Sequence, residues 1–262
     1  MTFSDLINKG ILGSYLGNWS EQSFFIPLYV GGFIFCMIAG YLLGSINTAI
    51  IISKLKYGGD IRTSGSGNAG MTNVLRTYGK TPAAMTFGGD ALKTFLAYAV
   101  GILVFGRSGA YYSCFMCVLG HVFPIYYRFR GGKGIVCAGI SILLLNPVAF
   151  LIILAVFIIV FIGYKYVSLA SIMAAMIYPM AHGWTVQSKI WPPSTLFAVL
   201  MAALVLWRHY PNMKRLLNRT EPKIDIGKLF GHEKKGKDST DMKEADEKEA
   251  ASEESSTGEK KK

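Results

Sequence analysis

Three stretches of the chain gather groups that hold anions. The first runs from Gly65 to Asn73 and contains Gly65, Ser66, Gly67, Asn68, Gly70, Met71, Thr72 and Asn73, with Arg76 close behind. The second is Arg130-Gly131-Gly132-Lys133-Gly134. The third is His209-Tyr210-Pro211-Asn212-Met213-Lys214-Arg215, followed by Glu221. Glycine lets backbone N–H groups approach an anion closely, and a helix starting after such a loop adds unpaired donors and a positive dipole end. Hydroxyls, amides and cations beside those donors strengthen the grip. Each stretch lies at the mouth of an apolar segment, which points to chemistry on phosphorylated lipid precursors.

Each motif has an ordinary alternative. A glycine-rich loop is often only a flexible turn, yet such turns rarely need Asn and Thr at so many positions. No Gly-Lys-Ser/Thr ends the first stretch, so a nucleoside triphosphate loop is a poor reading. Arg128 and Arg130 suit anchoring at the inner membrane surface. That role leaves the three glycines unexplained, and Lys133 gains nothing from the already positive end of a helix. His209 and Asn212 are three residues apart and share a face if the last span continues as a helix, with Arg215 on the same side. His209 has the ordinary pKa for general-base work near neutrality; the competing reading is an interfacial cluster against lipid headgroups. Ser168 and Ser171 have the spacing of close helix packing in membranes, while Ser171, level with Lys133, is placed to donate to a phosphate. His121 serves either the site or a neighbouring helix. Asp90 and Lys93 pair within an apolar segment, which lowers the cost of burying them. Cys114 and Cys117 sit inside an apolar run with no second pair, as small buried hydrophobes and not as a zinc or redox site.

The elements that must position these groups are read from composition. The chain has 262 residues, 52% of them hydrophobic, and a mean hydropathy of +0.36, too apolar for an ordinary soluble domain. The net charge is +11, and from Pro222 onward ten lysines meet eleven acids. Positive charge therefore resides in the apolar part, where the acids are Asp5, Glu21, Asp60, Asp90 and Glu221. This suits anionic headgroups or substrates. The cations punctuate apolar segments and form no soluble basic face, which argues against nucleic acid. No cleavable leader is evident.

The expected fold is all-α: a polytopic integral membrane protein with about seven transmembrane helices. One long helix is expected within Ser23–Ser53, then spans within Pro82–Phe105 and Ser108–Tyr127. Gly134–Tyr164 is expected to split at Asn146-Pro147; if that dipeptide is only a kink, the count falls by one. Val167–Trp184 and Ser194–Trp207 complete the set. The loops sort strongly by Lys and Arg, which puts the three motif stretches and the C-terminus in the cytoplasm and the N-terminus outside. The domain reading is an extracytoplasmic segment 1–22, a transmembrane catalytic domain 23–221 and a charged, disordered cytoplasmic tail 222–262.

In order and spacing, several motifs resemble the acyl-phosphate:glycerol-3-phosphate acyltransferases of the PlsY type. They are Gly44-Ser45-Ile46, Gly65 to Arg76 with Gly79-Lys80, Asp90-x-x-Lys93, Gly120-His121-x-Phe123-Pro124, Phe129 to Gly134, Tyr166-x-Ser168-x-Ala170-Ser171-Ile172 and Arg208-His209-x-x-Asn212. The likeness runs from about Gly44 to Glu221 and departs at Met71, where alanine is usual, and at Arg219, where glycine is usual. The resemblance implies transfer of a fatty acyl group from acyl phosphate to the 1-hydroxyl of glycerol 3-phosphate, giving lysophosphatidic acid and phosphate. It implies no acyl-CoA, metal or cofactor, and a bacterial plasma membrane with the site facing the cytoplasm. Matching positions make Ser66, Asn68, Arg76, Lys133, Ser171, His209 and Asn212 the functional set. Gly67, Gly70, Thr72, Asn73, Gly131 and Gly132 join them as phosphate-binding candidates, and His121, Arg215 and Glu221 as secondary ones.

The residues fit that chemistry on their own terms. Phosphate is a good leaving group, so an acyl phosphate needs positioning and charge stabilisation more than a covalent nucleophile. No Gly-x-Ser-x-Gly elbow is present, and neither His121 nor His209 has the downstream Asp of the acyl-CoA-dependent enzymes. On this reading the Gly65–Asn73 loop and Arg76 hold the donor phosphate, while Lys133, Ser171 and Asn212 hold that of glycerol 3-phosphate. Either His209 or a substrate phosphate oxygen takes the hydroxyl proton. A monomer among membrane lipids is expected. An organic-phosphate transporter is the leading alternative, weakened by the lack of an evident inverted repeat and by cations gathered at one face. A membrane scaffold leaves the Gly/Asn/Ser clusters unexplained.

Overall fold

The computed structural model describes residues 2–17, 25–186 and 193–224. Lys189 and the charged tail beyond 224 lie outside the described residues, and so does the expectation of a disordered tail. Every regular element among the described residues is helical. Three stretches, Pro27–Tyr57, Lys80–Tyr127 and Pro147–Tyr164, are long and apolar enough to cross a bilayer.

Helix α1 (Phe3–Gly17) was not foreseen from the sequence. Where one helix was expected through Ser53, there are two, α2 (Phe25–Ser45) and α3 (Thr48–Tyr57). Asn47 makes the break. Its backbone is extended (φ −96°, ψ 103°) and its side chain accepts the Ile50 N–H at 3.1 Å, an N-cap worth about 1 kcal/mol. The short surface helix α4 (Met71–Tyr78) follows the first glycine loop.

Helix α5 (Lys80–Val122) has 43 residues, about 65 Å at 1.5 Å per residue and roughly twice the bilayer core. It folds back at Phe105 and Gly106, the latter at φ 57°. The arms then meet where glycines let backbones touch, with Gly101 against Ala110 and Gly109 against the Gly101 carbonyl. Both ends of this hairpin return to the side that carries the motif loops. α1 packs on the bend, with Gly10 against Val104 and Gly106. α2 lies along the second arm through Gly40 and Gly44, against Ser113 and Cys117, a small-xxx-small contact.

The expected split at Asn146 is present. It separates α6 (Ile135–Leu145) from α7 (Pro147–Tyr164), with the Asn146 side chain accepting the Ala149 N–H and Pro147 in the first turn. α8 (Val167–Thr185) and α9 (Pro193–Arg208) follow, and α10 (Tyr210–Leu217) ends the fold. The main core lies among the second arm of α5 and α6 to α9, around Cys114, Val118, Cys137, Ile142, Tyr178 and Met201. Cys36, Cys114, Cys117 and Cys137 are free and buried, as expected of small hydrophobes. The outer face of α7 leaves Ile159 and Ile162 70% and 64% exposed, a surface for lipid chains and not for water.

Candidate active site

The first glycine loop is built on Asn73. Its Oδ1 accepts the Ser66 N–H at 2.9 Å, and its Nδ2 faces the carbonyls of Ile61, Ser64 and Asn68 at 3.2, 2.9 and 3.1 Å. Asn73 is buried and spends its whole polar inventory inside the protein. Its expected phosphate contact is therefore replaced by a scaffold role. The N–H groups of Gly67 and Gly70 are also engaged, by the Ser64 and Asn68 carbonyls. What remains for a ligand is the Ser66 hydroxyl, the Asn68 amide, the Thr72 hydroxyl and the first amides of α4, Met71 and Thr72, which have no acceptor among the described residues. Gly65 is required by its left-handed backbone (φ 57°), and a Cβ there would strike Asn73.

The second glycine turn is likewise tied inward. The N–H of Gly131 donates to the Val122 carbonyl at 3.2 Å and that of Gly132 to the His121 carbonyl at 3.1 Å, so neither amide is free for phosphate, contrary to expectation. A side chain on Gly132 would collide with the His121 ring and the Ala69 carbonyl, so glycine here serves a close approach. Two arginines clamp this turn. Arg62, paired with Asp60 at 2.7 Å, donates to the carbonyls of Tyr127 and Arg130, and Arg208 donates to those of Gly132 and Gly131. The product is a fixed place for Lys133, whose ammonium has no protein acceptor among the described residues and faces the cavity.

Behind the turn, Asp90 and Lys93 pair at 2.8 Å, as their spacing implied. Lys93 Nζ also reaches His121 Nδ1 and the Ile46 carbonyl, each at 2.8 Å. His121 thus bonds Lys93 on the other arm of α5 and, with Asp90, lines the cavity. Asp90, His121 and Cys137 bring ligand-type atoms within 4.8 Å of one another. The Lys93 ammonium already supplies the positive charge among them.

The third group does not continue α9 as a helix. His209 stands at a break (φ −93°, ψ 0°) before α10, with Pro211 in that helix's first turn. Asn212 nevertheless stays beside it, because its N–H donates to the His209 carbonyl at 2.9 Å. His209 Nδ1 donates to the Val205 carbonyl at 2.8 Å, which leaves Nε2 as the ring's acceptor. Asn212 Nδ2 and Arg215 Nε each donate to Glu221 at 2.7 Å. Arg76 reaches the Pro222 carbonyl at 3.0 Å, binding α4 to this C-terminal strap.

These elements enclose a cavity of about 640 Å³. His209, Asn212, Lys133, Ser171, Arg76, Ser66, Asn68, Gly70, Thr72, Asn73, His121, Arg215 and Glu221 all line it. Gly67 and Gly131 line an adjoining cleft of about 370 Å³, and Gly132 lines neither. Ser171 presently donates to the Val167 carbonyl at 2.9 Å. Asn212 Oδ1 is buried in the cavity wall without a partner among the described residues, the condition of a group that waits for a ligand.

Burial, with Arg215, Arg76 and Arg208 nearby, pushes the Lys133 ammonium down to about 8 against the opposing pull of Glu221. Burial and the Lys133 charge push His209 down to about 4, so its ring is neutral at pH 7. Burial alone would raise Glu221, but the hydrogen bonds from Arg215 and Asn212 outweigh it and hold the carboxylate ionised. The site is thus a neutral base beside a cluster of cations, suited to a dianion and a proton transfer at an adjacent hydroxyl. Sequence reasoning missed Asp60, Arg62 and Arg208 as supports of the site, and Asn47 as the break that ends α2. Asn47 carried a helix-cap signal next to Thr48, whereas the arginines were indistinguishable from inner-surface anchors.

A family model described as glycerol-3-phosphate acyltransferase matches residues 34–219. The chain is 43% identical over 198 residues to a glycerol-3-phosphate acyltransferase of Clostridioides difficile (strain 630), covering 73% of this chain and 95% of that one. It is 38% identical over 188 residues to the enzyme of that name from Bacillus subtilis (strain 168), covering 72% and 95%. It also resembles the crystal structure of PlsY (YgiH), an integral membrane glycerol 3-phosphate acyltransferase, in its glycerol 3-phosphate form. There the TM-score is 0.70 at 33% identity, over 76% of this chain and 99% of that one. The matched residues and the identity to these relatives show that the chain belongs to the glycerol-3-phosphate acyltransferase family.

Proposed function

We propose that the protein transfers a fatty acyl group from an acyl phosphate to the 1-hydroxyl of sn-glycerol 3-phosphate, releasing lysophosphatidic acid and inorganic phosphate. The observation that carries this is the neutral His209 facing the cavity that Lys133, Arg76 and Arg215 make cationic. The names of the relatives support the acceptor, and the second PlsY structure, with a TM-score of 0.66, is titled as a lysophosphatidic acid form.

In the proposed step the acceptor hydroxyl oxygen attacks the acyl carbonyl carbon. The carbon–oxygen bond to phosphate breaks, and phosphate leaves with the bonding pair. The hydroxyl proton passes to His209 Nε2 or to a phosphate oxygen of the substrate. Lys133, Ser171 and Asn212 hold glycerol 3-phosphate, with the Ser168 hydroxyl beside them. Ser66, Asn68, Arg76 and the free amides of Met71 and Thr72 hold the donor phosphate and offset charge on the carbonyl oxygen. No covalent acyl-enzyme is needed. The proposed setting is a bacterial plasma membrane crossed about seven times, with the site in the cytoplasm, the N-terminus outside and a monomeric chain.

The test uses purified protein in detergent, palmitoyl phosphate and labelled glycerol 3-phosphate. Lysophosphatidic acid should form without a sealed vesicle and should not form from palmitoyl-CoA. A transporter would be silent in this assay. A folded His209→Ala variant should lose roughly 10²–10⁴-fold in turnover if the ring is the base; near-normal turnover assigns the proton to substrate phosphate.

A further inference from the structure

We propose that a groove at the bend of α5 binds an acidic phospholipid from the leaflet opposite the catalytic cavity. The groove is about 450 Å³ and runs between the second arm of α5 and α9, with Phe33 of α2 at its side. Its mouth carries Arg107, Ser108 and Ser194, and its depth Phe115, Phe197 and Leu200. Phe115 lies seven residues beyond Ser108, about 10 Å further along the helix. Polarity therefore falls along the groove as it does along a lipid, from headgroup to chain.

The hairpin fixes which leaflet this is. Lys80 and Val122 end its arms beside the catalytic loops, and Phe105 and Gly106 form its far end. Arg107 follows that bend directly. Among the described residues its guanidinium donates once, to the Leu145 carbonyl at 3.0 Å, out of five available N–H groups. That bond holds the group in place at the end of α6 without neutralising it. Among the described residues no Asp or Glu lines the groove, so a fixed positive charge faces a wall of hydroxyls and apolar side chains. The complement is a phosphodiester with net negative charge on an acyl chain. A zwitterionic lipid offers the same chain but cancels the headgroup charge.

The test is native mass spectrometry of the full chain in mild detergent, titrated with phosphatidylglycerol or with phosphatidylcholine of identical chains. The wild type should retain one phosphatidylglycerol at least roughly fivefold more tightly than phosphatidylcholine. Arg107→Gln should bring the two lipids level, and Arg107→Lys should restore part of the difference. Leu200→Trp, which fills the groove and keeps the arginine, should lower retention of both. Lys56→Gln, at the catalytic end and exposed, should match the wild type. Equal retention of both lipids by the wild type overturns the proposal, as does unchanged phosphatidylglycerol binding in Leu200→Trp. The second result stands even if Arg107→Gln does not fold. None of these readouts depends on acyl transfer.

Discussion

Lys133 sits at the convergence of charge in the cavity, held by a turn whose Gly131 and Gly132 amides are spent on protein carbonyls. Replacing it with alanine removes a charge-assisted contact worth about 1.5–3 kcal/mol, so KM for glycerol 3-phosphate should rise roughly 10- to 100-fold. The pH dependence has a definite sign. The protonated ammonium is the form that pairs with a dianion, and it deprotonates as pH passes about 8. In steady-state kinetics, kcat/KM should therefore fall above that pH, while Lys133→Arg should move the alkaline limb upward. His209 sets no acid limb near neutrality, because its ring stays neutral down to about 4. A limb near pH 6 would belong to the second ionisation of the substrate phosphate. Residue types revealed these two groups. The displacement of their pKa values could not be read from them, because it arises from burial and from neighbours distant in the chain.

At the scale of elements, the glycine loops are shaped from within. Asn73→Ala would strand the Ser66 amide and take one of two donors from each of the Ile61, Ser64 and Asn68 carbonyls, which keep the N–H groups of Ser64, Gly67 and Gly70. Each group left unpaired in the interior costs about 1–3 kcal/mol. Thermal unfolding in detergent should show a clear loss of stability, whereas Thr72→Val should chiefly change substrate binding. Gly132→Ala should act on stability as well, since its Cβ meets His121 and Ala69. The sequence marked both loops as special but could not say which donors stay free. Glycine signals close approach of something, and here part of what approaches is the protein's own backbone. The break at Asn47 was hidden by an apolar run that continues across it, whereas the break at Asn146 was announced by the proline after it.

For the whole molecule, the C-terminal strap closes the site. Glu221 supports Asn212 and Arg215, and the Pro222 carbonyl accepts from Arg76. A chain ending at Ile224 should keep its turnover, and one ending at Leu217 should lose it, measured by lysophosphatidic acid formation in matched membrane preparations. Orientation is tested by labelling with an impermeant maleimide in intact cells, since the native cysteines are buried. Ser4→Cys should react without lysis and Lys56→Cys only after it.

The sequence by itself determined that the protein is helical and apolar, that its cations gather with three motif loops, and that Asp90 pairs with Lys93. These follow from local composition, periodicity and short spacing, which act before the chain folds. Only the tertiary structure decided that Asn73, Gly131 and Gly132 build the cavity and do not present their own groups to it. It also decided that Arg62 and Arg208 clamp the second turn, and that Arg107 lines a groove at the far end. Those outcomes depend on which partner reaches each donor first. Partners such as Arg62 with Tyr127, or Arg76 with Pro222, lie far apart in the chain and meet only when the α5 hairpin brings both its ends to one side.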